Sequence, residues 1–435
     1  MSLKSSIQKR WVKLVSRLLR RFGGFFSRYP FVEIFSIHLG HTIIESAYLM
    51  QHRPLVIFWK SPVANQWLLK KLENCLRFPK IQKWITKKQS NEKEKGVFSS
   101  LRELSKNFHD QHFLLNLGFN CLPRKIPTIT FTKVEVQQGE EFMKKLGLKN
   151  QKYVCFCVRD ETYYQDFKPD LNFGSAENFE FRNAKSNNYQ NAAEFLREKG
   201  VLPVLMGFSS ASASDTFIRP ALFPEFRPWV EAYLFRECLF TVGMMTGTTL
   251  YASLFGRPVL WSDVFWRGAP VGGRQDLVLP KKIIQRSHPN SKNMKDSWVE
   301  LQMKKWVQLG PPPDNDWAHF SKKGYESQAC SPEEILDAVK DMMILQNTKK
   351  LFQSLEERAI HKEFSALHLR ETKKLGYPPT RLAPSWARNN LKLIKSRNMI
   401  YEKYWLCGED KLNLDLTKAI DQKQTKRVLI PKNSR

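Results

Sequence analysis

In FSIHLGHTIIESAYL, Phe35 to Leu49, His38 and His41 lie three positions apart and Glu45 follows His41 by four. Four residues make about one helical turn, so His41 and Glu45 share a helix face. A carboxylate beside an imidazole can orient it, and imidazole titrates near neutrality, so the pair is suited to taking a proton from a hydroxyl. The competing reading is a packing histidine with Glu45 as a first-turn acid that favours the helix dipole. A metal site is disfavoured, because the two histidines lack the i, i+4 spacing of HExxH and no third ligand is identifiable.

A second group could hold an anion. Arg159 and Asp160 directly follow the apolar run YVCFCV, Tyr153 to Val158, and a guanidinium just past a buried strand suits bidentate phosphate binding. Further on, GMMTGTT, Gly243 to Thr249, sets two glycines around a short turn and adds three hydroxyls, Thr246, Thr248 and Thr249, ahead of a helical pattern. Gly243 and Gly247 let backbone N–H groups approach a ligand, and a helix start favours negative charge. The same loop also reads as an ordinary strand-to-helix turn, and Arg159 as an ion-pair partner of Asp160. Together the two strand ends point to a pyrophosphate site that needs no metal. Neither GxGxxG nor GxxxxGK[ST] occurs, so a simple dinucleotide domain and a P-loop are unsupported. Asp314 and Asp316 in PPPDNDW form a DxD, but they follow three prolines in a polar connection, whereas a chelating DxD belongs at the end of a buried strand.

These residues need elements to position them. Phe31 to His38 reads as a strand broken by Gly40, Thr42 to Met50 as a helix, Pro54 to Trp59 as a strand and Val63 to Leu76 as a helix. Lys83 to Lys95 is polar and reads as an exposed loop, and Lys145 to Gln151 as a linker. A second series begins at Tyr153 to Val158. It continues with a helix over Tyr189 to Lys199 closed by Gly200, a strand over Val201 to Leu205, and a strand over Leu239 to Val242. The Gly243 to Thr249 loop then opens a helix ended by Gly256, and Pro258 to Trp261 forms another strand. Alternating strands and helices imply parallel α/β sheets, hence two Rossmann-like units with a ligand cleft at the carboxyl ends of their strands.

The composition limits the classes further. At 435 residues the chain exceeds what one core usually organises. No apolar run is long enough to span a bilayer. The seven cysteines show no zinc-type spacing, and Cys155 and Cys157 fall on one face of a strand, which fits reduced cytoplasmic thiols. A net charge of +28 admits nucleic acid, anionic membrane or polyanionic substrates. Location favours the membrane: the first thirty residues hold eight Lys/Arg and no Asp/Glu. On a helical winding Ile7, Trp11, Leu14, Leu18 and Phe22 share one face and Lys9, Arg10, Lys13, Arg17 and Arg21 the other, an interfacial pattern. Nucleic acid is disfavoured, because no recognisable binding motif interleaves aromatics with the cations.

The motifs, in their order, resemble a family of bacterial surface-polysaccharide glycosyltransferases. The family pattern runs Gly-His, Arg-Asp-x-x-Tyr, Tyr-Arg-Asn, Met-Gly, Gly-x-x-Ser-Gly. It is matched here by Gly40-His41, RDETY at Arg159 to Tyr163, FRN at Phe181 to Asn183, Met206-Gly207 and GMMTG at Gly243 to Gly247. ANQWLLKKL, FGRPVLWSD, DLVLPKK and LAPSWARNN are similar too, so the likeness spans Phe31 to Ser396. The family has an arginine before Met-Gly where this chain has Leu205, which leaves Arg182 or Lys281 as substitute cations, and a serine where it has Thr246.

The resemblance implies an α/β, GT-B-like fold with an acceptor-side domain over 31–150 and a donor domain over 151–340, preceded by the amphipathic helix that the charge pattern gives over 1–30. C-terminal helices over 341–396 would cross back towards the first domain, and a basic tail covers 397–435. It implies transfer of a sugar from a nucleotide-sugar donor, without cofactor or metal, to a cell-surface glycan or lipid-linked acceptor, by a cytoplasmic enzyme peripheral on the inner face of the membrane. A sugar-nucleotide epimerase fits the same architecture.

Overall fold

The computed structural model describes residues 31–34, 56–59, 65–76, 108–109, 129–159, 183–207, 215–264, 275–286, 298–300, 318–350, 354–355, 358–359 and 381–390. The expected helices at 1–30 and Thr42 to Met50, and the Lys83 to Lys95 loop, lie outside them. β1 (Phe31–Ile34), β2 (Val56–Trp59) and β3 (Phe108–His109) form a parallel sheet in the order β2-β1-β3. Helix α1 (Gln66–Leu76) follows β2. The Asn65 side chain accepts from the Leu68 N–H at 2.9 Å, capping its first turn.

Helix α2 (Lys133–Lys145) has a reciprocal cap between Thr132 and Glu135. It ends at Gly147, where φ is 70°, with the Leu148 N–H returning to the Met143 carbonyl at 2.8 Å. The stretch expected to be a linker is therefore the end of a helix, with Leu146 and Leu148 buried. Those leucines, Ile129 and Phe142 join the hydrophobic core that contains the next strand, β4 (Tyr153–Cys157). The chain from 129 onward thus shares a core with the unit that the sequence reading starts at 151.

β4, β5 (Leu202–Leu205), β6 (Thr241–Gly243), β7 (Val259–Val264) and β8 (Leu277–Pro280) form a parallel sheet in the order β5-β4-β6-β7-β8. Every residue of β4 is buried, as both faces of a parallel sheet are covered. On one face the Tyr153 hydroxyl donates to the Leu234 carbonyl of helix α4 at 2.7 Å. On the other, Phe156 sets its ring against Tyr189 and Phe217, with centroids 6.4 and 5.2 Å away. Helix α3 (Gln190–Glu198) covers that second face. Helix α4 (Pro228–Glu237) packs on α1, α2 and the short helix α5 (Leu250–Leu254). α2 reaches α4 at Gly139, where a Cβ would stand 2.6 Å from the Tyr233 ring, so only glycine permits the approach.

After β8 the chain leaves the parallel sheet at Lys281. It enters an antiparallel one of β9 (Lys282–Arg286), β10 (Trp298–Glu300) and β11 (Tyr325–Gln328), in the order β10-β9-β11. Helix α6 (Ala318–Lys322) precedes β11, and helix α7 (Pro332–Thr348) packs on α3, β7 and β8. Helix α8 (Pro384–Asn389) packs on α7. Just before it, Leu382 bridges to Val278 in parallel, with the Ala383 N–H on the Val278 carbonyl at 2.9 Å. Among the described residues, Leu382 adds to the margin of the second sheet, and α7 and α8 belong to its covering layer.

Candidate anion-binding crevice

The strand order places β4 between β5, which follows it in sequence, and β6. The connection leaving β4 therefore runs to one side, towards β5, and that leaving β6 runs to the other, towards β7, so a crevice opens between the carboxyl ends of β4 and β6, the position where doubly wound sheets bind ligands. Arg159 lies two residues past β4. Its N–H donates to Met244 Sδ at 3.3 Å, and the Met244 N–H donates to the Cys157 carbonyl at 3.1 Å, so Arg159 and the start of the Gly243 to Thr249 loop stand side by side. Arg159 is buried, at 9% exposure.

A third strand end joins them. The Lys281 N–H donates to the Val264 carbonyl at 2.9 Å. Its ammonium, on a residue only 2% exposed, donates to the backbone carbonyl of Asn183. The next residue, Ala184, donates its N–H to the Arg159 carbonyl at 3.1 Å. Lys281, by its ammonium, and Arg159, by its main chain, thus hold consecutive residues of one segment.

The Gly243 to Thr249 loop has a form the sequence did not foretell. A Cβ on Gly243 would lie 2.7 Å from Thr249 Oγ1 and 3.0 Å from the Cys157 Cβ, so this glycine permits close packing under the loop. Thr249 is fully buried, and its hydroxyl pairs with that of Thr246 at 2.9 Å, so it braces the loop from beneath. Thr246 Oγ1 also accepts the Thr249 N–H at 3.2 Å. Thr246, Gly247 and Thr248 are half-buried and form the loop's outer part. The helix behind it, Leu250–Leu254, has five residues and so only a small dipole. What the loop can offer an anion is backbone N–H groups, with the charge coming from the Arg159 and Lys281 side chains.

Three further groups surround this point. Asp263, at the end of β7 in a register shift, has φ of 50°. Its carboxylate accepts from the Tyr189 hydroxyl at 2.7 Å and from the Cys330 N–H at 2.9 Å. Glu231, in the first turn of α4, accepts the N–H of Gly207 just beyond β5, and desolvation raises its carboxyl pKa from the usual 4.5 to about 7. Asn65, capping α1, donates to the Tyr251 hydroxyl of α5 at 2.7 Å. Burial also pushes the Cys155 and Cys157 thiols well up, which keeps them neutral.

The structure brings Arg159, Gly243, Thr246, Gly247, Thr248, Thr249 and Lys281 of the expected site to one crevice. His41, Glu45, Asp160, Arg182, Asp314 and Asp316 lie outside the described residues. Asn183, Glu231 and Asp263 are the members that sequence reasoning did not assign. The FRN motif was the one signal pointing to Asn183; Glu231 and Asp263 become notable only through burial and backbone geometry. Among the described residues no cluster of three His, Cys, Asp or Glu could hold a metal ion, and no helix is long and apolar enough to cross a membrane.

No protein-family model matches the chain, and no curated protein matches it significantly. Among solved structures it is similar to a family 9 glycosyl transferase from Veillonella parvula, at 12% identity and TM-score 0.40, covering 72% of this chain and 97% of that one. It is also similar to the E. coli ADP-heptose LPS heptosyltransferase II, at 13% identity and TM-score 0.31, covering 57% and 90%. A third is an E. coli heptosyltransferase with ADP, at 13% identity and TM-score 0.23, covering 58% and 66%. Overlaps this loose establish neither architecture nor activity for this chain.

Proposed function

We propose that the chain is a GT-B-type glycosyltransferase that takes a nucleotide-sugar donor at the crevice between β4 and β6. The observation that carries this reading is that two buried cationic residues from different strand ends meet one segment, Lys281 by its ammonium on the Asn183 carbonyl and Arg159 by its backbone carbonyl on the Ala184 N–H. A diphosphate at the switch point would be met by a planar guanidinium, an ammonium and the N–H groups of Met245, Gly247 and Thr248, that of Thr246 being held by the Met244 carbonyl. The assignment of sugar transfer adds the sequence resemblance to this geometry.

In the reaction, an acceptor hydroxyl attacks the anomeric carbon, the bond to the diphosphate breaks, and negative charge grows on the departing nucleotide. Arg159 and Lys281 stabilise that charge, with Asp160 next to Arg159 in sequence and Arg182 next to Asn183. His41, oriented by Glu45, takes the acceptor proton. The acceptor is a cell-surface glycan or lipid-linked precursor, reached by an enzyme lying on the inner face of the membrane through the basic helix at 1–30. Sedimentation with anionic vesicles, with and without residues 1–27, tests that last point: retention by the shortened chain removes it.

A thermal-shift panel of nucleoside diphosphates and sugar nucleotides, followed by calorimetry with and without a chelator, tests the donor site. At least one nucleotide should raise the melting temperature, and the chelator should leave its affinity unchanged. A panel with no binder, or binding lost with the chelator, removes the proposal.

A further inference from the structure

Asn183 occupies an unusual position. Its backbone carbonyl takes the Lys281 ammonium, and its neighbour Ala184 donates its N–H to the Arg159 carbonyl, so the residue's backbone is fixed between Lys281 and the main chain at Arg159. Yet both polar atoms of its side chain, Oδ1 and Nδ2, are buried and make no hydrogen bond among the described residues. A buried amide left in this state costs free energy on both its donor and its acceptor side, and native proteins keep such groups where a ligand completes them. Nothing about the segment's own packing needs the amide, since the backbone alone makes the contacts to Lys281 and Arg159.

The amide's chemistry selects what can complete it. A phosphate oxygen accepts from Nδ2 but sets negative charge against Oδ1. A hydroxyl accepts from Nδ2 and donates to Oδ1, satisfying both. With the Lys281 ammonium on the Asn183 carbonyl and Arg159 bonded to the next residue through its main chain, the fitting group is a hydroxylated carbon attached close to a diphosphate. We infer that Asn183 is a specificity-determining residue that reads a sugar hydroxyl next to the diphosphate, on the donor sugar or on the ribose, and so distinguishes a nucleotide or its sugar from bare pyrophosphate. This rests on the nucleotide-sugar reading above and adds the group that the crevice recognises beyond charge.

The test compares the wild-type full chain with Asn183→Ala and Asn183→Leu. Calorimetry uses inorganic pyrophosphate, then UDP, GDP and ADP, then UDP-glucose, GDP-mannose and ADP-glucose. Pyrophosphate affinity should be the same in all three proteins. If the hydroxyl is the ribose's, the diphosphate and sugar nucleotide that bind wild type should both weaken about 10-fold in the variants; if it is the donor sugar's, only the sugar nucleotide should. Because the variants remove an uncompensated amide, their melting temperatures should equal or exceed that of wild type, which a structural asparagine would not allow. The inference is overturned if the variants bind every probe as wild type does, if pyrophosphate weakens as much as the nucleotides, or if the variants melt several degrees lower. Wild-type protein that binds none of the probes overturns the nucleotide-sugar reading itself, and this inference with it.

Discussion

The Tyr189 hydroxyl donates to Asp263 Oδ2 at 2.7 Å, joining the segment before α3 to the end of β7 inside the second sheet's covering layer. Asp263 holds this bond, and one from the Cys330 N–H, with its backbone at φ of 50°, a left-handed conformation that aspartate tolerates better than most residues. Asp263→Ala should lose both bonds and keep the strain, lowering stability by about 2 to 4 kcal/mol, with Asp263→Asn costing clearly less. Because the next residue, Val264, holds Lys281 by its carbonyl, Asp263→Ala should also weaken pyrophosphate binding. Urea unfolding and calorimetry read the two effects, and equal stability of the Ala and Asn variants would argue against the backbone explanation.

Arg159→Ala should weaken binding of the selected nucleoside diphosphate by about 1.5 to 3 kcal/mol, the scale of a charge-assisted hydrogen bond, and leave nucleoside binding nearly unchanged. Arg159→Lys should recover part of this, because it restores charge without the planar fork. A folded Arg159→Ala protein with wild-type affinity would remove Arg159 from the donor site.

At Gly243 a methyl group meets Thr249 Oγ1 at 2.7 Å and Thr249 Cγ2 at 2.9 Å. Gly243→Ala should destabilise the chain by about 1 to 3 kcal/mol through overpacking. Adding Thr249→Ala should recover a large part, since it removes both offending atoms. A double-mutant cycle measures the coupling, and additive losses would mean that the loop is held some other way.

Glu231 gives a pH dependence whose sign is fixed by its raised pKa. With the carboxyl at about 7 in the folded chain against the usual 4.5, the folded state binds more protons between those values. Stability therefore falls as pH rises from about 4.5 to 7, and the full penalty is present above 7. Glu231→Gln keeps an acceptor for the Gly207 N–H without the charge, so it should raise the melting temperature at pH 8 and change little at pH 4. Destabilisation at pH 8 would show that the charged form is the one the fold prefers.

His41→Ala should lower turnover by about 10² to 10⁴ with donor affinity nearly unchanged, because a general base acts in the transition state. A variant that keeps most of its rate would make His41 a packing residue.

Four of the five strands of the second sheet, all but β8, were legible because each is a short apolar run bounded by glycine or polar residues. YVCFCV lost only its final residue to the loop, and the helix over 190–198 ends at Gly200, where φ is 70° as a C-terminal glycine stop requires. α2 carried a readable start signal in Thr132 and Glu135, but its interior is charged and its one small contact residue, Gly139, argues against a helix by propensity. Tertiary packing against Tyr233 overrides that preference. The antiparallel sheet was hidden because LVLPKKIIQR reads as one strand, while the structure passes from one sheet to another at Lys281. In the crevice, Arg159 and the Gly243 to Thr249 loop were legible from residue type at strand ends. The outward role expected of Thr249 was not: a hydroxyl that braces a loop and one that meets a ligand have the same sequence signature. Asn183 and Glu231 owe their interest to burial, which a single sequence does not display.

The pairing of Leu382 with Val278 bears on how the chain is made. Until residue 382 has been synthesised, β8 stands as an open sheet margin with unpaired backbone groups, the kind of surface on which nascent chains associate. Closing it joins residues about a hundred positions apart, a long-range contact that forms slowly. A ribosome that stalls between β8 and α8 should release an aggregation-prone fragment, whereas one that passes Asn390 leaves that margin covered.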